Sequence, residues 1–262
     1  MKKYFVISDV HSHFTPLKEV LDRCNFNINN KEHIFVSCGD LLDRGDESRE
    51  CLEFVNSLHE NRKILICGNH EDLLYDAILR GYFQSHDYHN QTVKTCADLC
   101  GIDFIEKVEV LDKILMEMPY NKELEKYYDS LKNYAEIDDF ICVHGWLPLT
   151  SSGKNVKRNI SKCTEKDWKN ARWLNGMLMW QHDIKPPKNK TVICGHWHTS
   201  FGNYYIHDVG SGEFTYDSDF SPFIDNGIIA LDACTAYTKK VNCIVIEDNK
   251  LIMVNGESYD NK

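Results

Sequence analysis

A stretch of seven residues, 39–45, most constrains the fold and the chemistry of this chain. It carries Asp40, Asp43 and Arg44 and directly follows residues 33–38, an apolar run typical of a buried strand. Two carboxylates and a guanidinium therefore lie on a turn at the end of a strand. Binding sites in α/β sheets gather at the carboxyl ends of strands. We therefore expect a functional site at this turn.

The order of the predicted elements favours an α/β fold. Strands over residues 4–8, 33–38 and 63–67 alternate with three helices, which is typical of a βαβ layout. We expect the first helix to begin with Thr15 as its N-cap and Pro16 at its first position. The third helix, from Glu71, should stop at Gly81. Later strands are predicted over residues 140–143, 191–194, 204–209, 227–232, 242–247 and 251–254.

Two further segments are predicted to be helical. Residues 82–138 are polar, carry no strong strand signal and are expected to form a helical insert. Thr164 is expected to cap one helix that runs to about Met179. The chain, residues 1–262, is expected to be a single domain. The insert and residues 151–183 are expected to form the walls of the site.

Charge and cysteine usage exclude several classes of protein. The formal net charge of −10 disfavours a nucleic-acid or anionic-membrane surface, although bound metals can still supply local positive charge for an anionic substrate. The sequence has no apolar run of the roughly 18 residues that a membrane span needs. The 11 cysteines are scattered without a CxxC pair. This pattern indicates free thiols in a reducing cytoplasm.

Polar clusters recur at the ends of the predicted strands. Each cluster alone is an ordinary polar turn, but together they supply the Asp, Asn and His donors that divalent metals accept. We therefore interpret them as one metal centre. The five clusters are Asp9-Val10-His11, Gly39-Asp40-Leu41-Leu42-Asp43-Arg44-Gly45, Gly68-Asn69-His70-Glu71, His144-Gly145 and Gly195-His196-Trp197-His198.

This ordered set resembles the calcineurin-like metallophosphoesterase superfamily, and more narrowly its phosphoprotein phosphatase branch. The most specific matches are residues 39–45 and residues 68–71, which fit the GDxxDRG and GNHE motifs. The resemblance implies a central β-sandwich flanked by helices. It also implies a phosphoester hydrolase with two divalent ions (Mn, Fe or Zn), in which a metal-bridging hydroxide attacks phosphorus in line.

The resemblance also implies a ligand set. Asp9 and His11 would hold the first metal, and Asp40 would bridge both. The second metal would be completed by Asn69, His144 and His196. His198 either joins the first metal, as a second histidine does in the wider superfamily, or is a wall residue.

Catalytic roles follow from the same resemblance. Arg44 would bind the phosphate oxygens, with Asn69 beside it. His70 would protonate the leaving oxygen, and Asp43 would orient His70 and keep it charged.

Several positions depart from the family pattern. Ser12 replaces a glycine, and Cys67 stands where an arginine often precedes GNHE. A second phosphate-binding arginine is replaced by His182. Either His182 serves as a weaker clamp, or Arg172 or Arg158 takes the role. Late in the chain, Asp232 reads as structural, and Asp208 is a second candidate for the same segment.

Three functions are consistent with these residues. The first is a serine/threonine-type phosphatase that acts on phosphoproteins or small phosphate esters. The second is a bis(5'-nucleosyl)-tetraphosphatase, to which Asn90-Gln91-Thr92 in the insert adds a faint similarity. The third is a metal-binding scaffold without catalysis, which the presence of both Asp43 and His70 disfavours. The sequence leaves the substrate, the metals and the oligomeric state open.

Overall fold

A computed structural model of the chain, which describes residues 1–259, contains two β-sheets. Its strands are β1 (Lys3–Ile7), β2 (His33–Ser37), β3 (Lys63–Ile66), β4 (Leu131–Lys132), β5 (Ala135–Ile137), β6 (Phe140–Cys142), β7 (Thr191–Cys194), β8 (Phe223–Asp225), β9 (Ile228–Ala230), β10 (Cys243–Glu247), β11 (Lys250–Val254) and β12 (Glu257–Ser258). The first sheet has the order β12-β11-β10-β1-β2-β3-β4, and the second has the order β5-β6-β7-β9-β8.

Parallel strands form the centre of each sheet. In the first sheet β1, β2, β3 and β4 are parallel, and β10 pairs antiparallel with β1. In the second sheet β6, β7 and β9 are parallel, with β5 and β8 antiparallel at its two edges. The carboxyl ends of these seven parallel strands thus become available for a site.

Helices cover the outer faces of both sheets. They are α1 (Phe14–Arg23), α2 (Ser48–Ser57), α3 (Asn69–Arg80), α4 (Ser85–His89), α5 (Thr92–Cys100), α6 (Val108–Glu117), α7 (Lys122–Ser130), α8 (Glu165–Ala171), α9 (Gly176–Gln181), α10 (Thr199–Tyr205) and α11 (Thr235–Thr238). None of the helices within residues 1–259 is both long and apolar enough to cross a membrane.

Three apolar clusters hold these layers together. The first packs the outer face of the first sheet against α1, α2, α5 and α7, with Phe35 and Leu52 fully buried. The second lies between the two sheets, where Val36 of β2 meets Ile193 of β7. The third packs the second sheet against α8, α9 and α10 around Trp146. The two-sheet α/β architecture expected from the sequence is confirmed.

Predicted helix boundaries needed two corrections. The first helix begins at Phe14 rather than after Thr15, and the Thr15 backbone N–H and hydroxyl instead donate to the Glu47 carboxylate. Pro16 still lies in the first turn, where a missing N–H costs nothing. The helix capped by Thr164 ends at Ala171, because Asn175 accepts a hydrogen bond from the Leu178 N–H and begins a separate helix, α9.

Strand prediction failed at two places. Residues 131–137 were expected to be helical, but they form β4 and β5, which join different sheets. These strands are too short and too polar to show a period, and they depend on pairing with β3 and β6. Residues 204–209 were expected to form a strand, but α10 extends to Tyr205 and a turn follows it. The helix packs closely against β8, since a Cβ at Gly202 would lie 2.6 Å from the Phe223 ring.

Candidate metal centre

The polar ends of the parallel strands converge on one small cavity of about 130 Å³. Asp40, Asn69 and His196, each of which lies two or three residues after the end of a parallel strand, are in its wall. The further residues that line it are His11, Arg44, His70, Leu73, Asn90, Trp173, Asp232, Cys234, Thr235 and Ala236. A cavity of this size fits a phosphate group rather than a drug-sized ligand, for which sites of about 300 Å³ or more are usual.

Asp40 belongs to two groups of potential metal ligands. His11, Asp40 and His70 form one group, and Asp40, His144 and His196 form the other. Within each group the ligand atoms lie within 4.8 Å of one another. The carboxylate of Asp40 thus stands between two sets of imidazoles, which is the arrangement expected of a bridging ligand.

Backbone carbonyls fix the orientation of two of these histidines. The Nδ1 of His144 lies 2.8 Å from the Cys38 carbonyl oxygen, and the Nδ1 of His11 lies 3.1 Å from the Leu42 carbonyl oxygen. Each Nδ1–H donates to its carbonyl, which directs the other ring nitrogen, Nε2, toward Asp40. Both Nε2 atoms face Asp40, at 3.4 Å from His144 and 3.7 Å from His11. Such outer hydrogen bonds orient metal-binding histidines.

Asp9 and Asn69 also reach this end of the sheets. The two carboxylate oxygens of Asp9 accept the backbone N–H of His196 at 3.1 and 3.0 Å. The side-chain oxygen of Asn69 lies 2.8 Å from the Nε2 of His144. The structure therefore brings six of the seven predicted ligands together.

A buried carboxylate, Glu71, holds Asp40 in place. Its two oxygens accept the backbone N–H groups of Gly68, Asp40 and Leu41 at 2.7, 2.9 and 3.0 Å. In return the Asp40 Oδ1 accepts the His70 N–H at 2.9 Å. Gly68 has no room for a side chain, since a Cβ would lie 2.6 Å from the Asp40 nitrogen. The GDxxDRG and GNHE segments therefore form one rigid unit.

His70 lies between a carboxylate and a guanidinium. Its Nδ1 is 2.8 Å from the Asp43 Oδ2, and its Nε2 is 3.1 Å from the Arg44 guanidinium. The contact with Arg44 requires a lone pair on Nε2, so it forms only when His70 is neutral. Thr92 of the insert donates its hydroxyl to the same Asp43 oxygen at 2.9 Å. The backbone N–H of Arg44 donates to the backbone carbonyl of Asn90 at 3.0 Å.

Buried charges strongly perturb the pKa values of these groups. Burial disfavours the charged form of His144, but the Asp40 carboxylate outweighs burial and raises the pKa of His144 to about 10. Burial, and then the charge of His144, lowers the pKa of His196 to about 3. Burial, and then the Asp40 charge, raises the pKa of Asp232 to about 6. Several carboxylates thus share one enclosed space, which favours a bound cation.

The backbone is strained at the ligand positions. Asp9, His11, Asp40 and His196 have φ values of 52°, 50°, 53° and 67°. A positive φ is unfavourable for residues other than glycine, and such strain concentrates at functional sites. The hydrogen bonds around Asp40 and His196 maintain these conformations.

Four predicted or alternative residues lie away from the cavity. His182 is exposed at the end of α9. The Nε2 of His198 is 3.2 Å from the Glu213 carboxylate, and His198 belongs to neither ligand group. Arg172 is buried and pairs with Asp72 and Glu165 at 2.7 and 2.9 Å. Arg158 is exposed, and Arg44 is the guanidinium that lines the cavity.

Other cavity residues were missed or given a different weight from sequence. Asp232 was read as structural, yet it lines the cavity while its Oδ1 accepts the Cys234 N–H at 2.7 Å. Asp232 lies just after strand β9, and this strand-end position was the sequence signal that could have identified it as a site residue. Trp173 lies on a segment without a strand-end motif, and the sequence carried no signal for its place in the cavity. Thr92, which contacts Asp43 behind the cavity, was marked only by the faint similarity of residues 90–92.

These donors fit the two divalent ions that the motifs imply. The set combines carboxylate and imidazole groups, one carboxylate is common to both groups, and the Nε2 atoms of His11 and His144 are oriented toward it. Oxygen and nitrogen donors of this kind suit Mn, Fe or Zn.

Comparison with known proteins identifies the family of the chain. The family model for calcineurin-like phosphoesterases matches residues 2–221, and the chain therefore belongs to that family.

Two relatives illustrate its range. The chain is 39% identical over 190 residues to a symmetrical bis(5'-nucleosyl)-tetraphosphatase of Buchnera aphidicola subsp. Baizongia pistaciae, which covers 63% of this chain and 61% of that protein. It is 37% identical over 73 residues to serine/threonine-protein phosphatase 1 of Salmonella typhimurium, which covers 28% of this chain and 32% of that protein. The chain thus spans less than two thirds of the length of either relative.

A solved structure shares the fold. The cold-active protein-tyrosine phosphatase of a psychrophilic Shewanella species matches with a TM-score of 0.55 at 19% identity. The match covers 96% of this chain and 77% of that one.

Proposed function

We propose that this chain is a metal-dependent phosphoester hydrolase that acts on nucleoside polyphosphates of the bis(5'-nucleosyl)-tetraphosphate type. The observation that carries the proposal is Asp40, which two groups of imidazole ligands share at the floor of a phosphate-sized cavity. The relative from Buchnera, which is named for this activity, supports the substrate class.

Two divalent ions, manganese, iron or zinc, would be held by residues at the strand ends. Asp9 and His11 would hold one, Asn69, His144 and His196 the other, and Asp40 both. When bound, such ions activate water as a nucleophile and neutralise the phosphate oxygens.

The protein's own groups supply the remaining chemistry. Arg44 lines the cavity and can hold phosphate oxygens through its planar fork. His70, with its Nδ1 hydrogen-bonded to Asp43, can present a proton on Nε2 to the oxygen that leaves. Entry of a phosphate draws Arg44 away from Nε2, which frees His70 to be protonated.

A second candidate is a serine/threonine protein phosphatase. The similarity to the Salmonella phosphatase supports it, and that similarity covers 28% of this chain. The Thr92 and Asn90 contacts with the Asp43-Arg44 turn favour the first candidate, because they join the turn to residues 90–92, the segment with a faint similarity to tetraphosphatases. A scaffold without catalysis is disfavoured, because the His70–Asp43 pair is intact.

The remaining properties are proposals as well. We place the protein in the cytoplasm, which its 11 free cysteines support. We assign it no membrane partner and no nucleic-acid partner, in line with its net charge of −10.

The test uses the purified chain loaded with manganese. We expect it to release nucleotide from diadenosine tetraphosphate faster than phosphate from a phosphopeptide, and to hydrolyse p-nitrophenyl phosphate. His70→Asn should lower kcat by about 100-fold or more, and Asp40→Asn should abolish binding of at least one ion. His59→Asn is the matched control, since His59 is exposed and lies before the amino end of strand β3, whereas His70 follows its carboxyl end. Full activity of His70→Asn would disprove the assigned chemistry, and a preference for the phosphopeptide would favour the second candidate.

A further inference from the structure

The cavity accommodates less than the whole of the proposed substrate. At about 130 Å³ it holds a phosphate group, whereas a nucleoside needs a larger site. The organic part of a substrate must therefore lie outside the cavity, against its rim. The rim residues then decide which organic group is recognised.

Trp173 is the aromatic side chain of this rim. It lines the cavity and its residue surface is 54% exposed, although a tryptophan is normally well buried. By contrast, Trp146 and Trp168 are buried at 0% and 3% exposure. The Trp173 ring centroid lies 5.7 Å from that of His196, at an interplanar angle of 83°. The exposed indole is thus next to a candidate metal ligand.

The turn that carries Trp173 is rigid. On one side of the turn, the buried guanidinium of Arg172 pairs with the carboxylates of Asp72 and Glu165. Asn175 on the other side caps α9. Gly145, next to the ligand His144, packs so closely beneath the turn that a Cβ would lie 2.6 Å from the Arg172 carbonyl oxygen. The indole is therefore presented in a fixed position relative to the metal centre.

We propose that Trp173 is the specificity residue that stacks on the nucleobase of the substrate. This inference rests on the proposed phosphoester chemistry and adds to it the group that carries recognition. Every nucleobase has a flat π-face, so it can stack on an aromatic side chain whichever base it is. A stiff, half-exposed indole beside a phosphate-sized cavity fits a phosphate ester that carries a planar ring.

Trp197 provides a matched comparison. Its ring also packs against His196, with centroids 6.1 Å apart, but it is absent from the residues that line the cavity. It stacks instead on His198 at an interplanar angle of 28°. A general disturbance of His196 should therefore appear in variants of both tryptophans, and loss of stacking in variants of Trp173 alone.

The test measures binding of two non-hydrolysable ligands to the manganese-loaded chain by calorimetry. Adenosine 5'-(α,β-methylene)diphosphate and methylenediphosphonate differ by the adenosine. We expect the adenosine compound to bind at least about tenfold more tightly, which corresponds to about 1.4 kcal/mol. Trp173→Leu should remove most of this preference, Trp173→Phe should retain it in part, and Trp197→Leu should retain it in full.

The outcomes distinguish failure of the Trp173 assignment from failure of the phosphoesterase proposal. An unchanged preference in Trp173→Leu overturns the assignment of Trp173, as does a wild-type chain that binds both ligands equally. If the wild-type chain hydrolyses p-nitrophenyl phosphate and binds methylenediphosphonate, the phosphoesterase proposal stands in either case. If it does neither, both proposals are overturned. Thermal melting of each variant verifies that the fold is intact.

Discussion

The Nδ1 of His70 lies 2.8 Å from the Oδ2 of Asp43, and both side chains are buried. Burial lowers the pKa of His70, but the nearby Asp40 charge and the bond to Asp43 outweigh it, so the net pKa is raised. A raised pKa keeps the imidazole protonated to higher pH, as a general acid requires. The hydrogen bond between the two side chains therefore helps His70 to keep the proton that it would donate.

Asp43→Asn should lower the pKa of His70. The amide keeps the shape of the side chain but removes one of the two negative charges that stabilise the protonated ring. Below its pKa His70 carries the proton, so the alkaline limb of the kcat profile should move to lower pH, and kcat should fall by at least about tenfold. NMR titration of the His70 ring and a pH–rate profile measure the two effects. An unchanged titration would show that Asp43 does not control His70.

The substitution Thr92→Val, which lies in the helical insert, should weaken the His70–Asp43 pair. The Thr92 hydroxyl donates to the Asp43 Oδ2, while the Asp43 Oδ1 finds no hydrogen-bond partner among residues 1–259. Valine removes that donor from a buried carboxylate and should cost about 1–3 kcal/mol of stability. We expect kcat to fall and KM to change little. Thr92→Ser restores the hydroxyl and should rescue both properties, and failure of that rescue would point to a packing role.

His198→Asn should leave metal binding intact. The His198 Nε2 pairs with Glu213 at 3.2 Å and its Nδ1 contacts the Ser200 hydroxyl at 2.9 Å, so both ring nitrogens are already occupied. The His144 ring instead faces Asp40. We expect His144→Asn to lose at least one manganese equivalent in elemental analysis and His198→Asn to lose none. Loss of an equivalent in His198→Asn would restore the histidine to the ligand set.

Much of the fold and of the metal centre could be predicted because one physical pattern repeats. A buried parallel strand followed by a polar turn is a local signal, and β1, β2, β3, β6 and β7 each show it. Parallel pairing brings the turns of each sheet to one edge, and face-to-face packing of the two sheets brings these edges together. Asp40 and His144, which are far apart in sequence and lie on different sheets, are therefore in contact. The ligand roles themselves remain predictions, supported by this geometry.

The remainder depended on tertiary contacts that leave no local pattern. Strand β4 has two residues and exists because it pairs with β3. The site of Trp173 depends on the break between α8 and α9, for which Asn175-Gly176 was the available signal. The second guanidinium could not be located from sequence either, because whether Arg172 faces the cavity or Asp72 is decided by packing.

Arg44→Ala should therefore impair substrate binding, whereas Arg172→Met should lower stability. Arg44 is exposed at the cavity, so its loss should raise KM for p-nitrophenyl phosphate about tenfold, through weaker phosphate binding, and leave the melting temperature nearly unchanged. Arg172 is 4% exposed, and its loss leaves Asp72 without its buried partner. Breaking such a pair costs about 3–5 kcal/mol, or roughly 5–15 °C in melting temperature. Steady-state kinetics and calorimetric melting separate the two effects. A raised KM with an unchanged melting temperature in Arg172→Met would instead make Arg172 the second phosphate clamp.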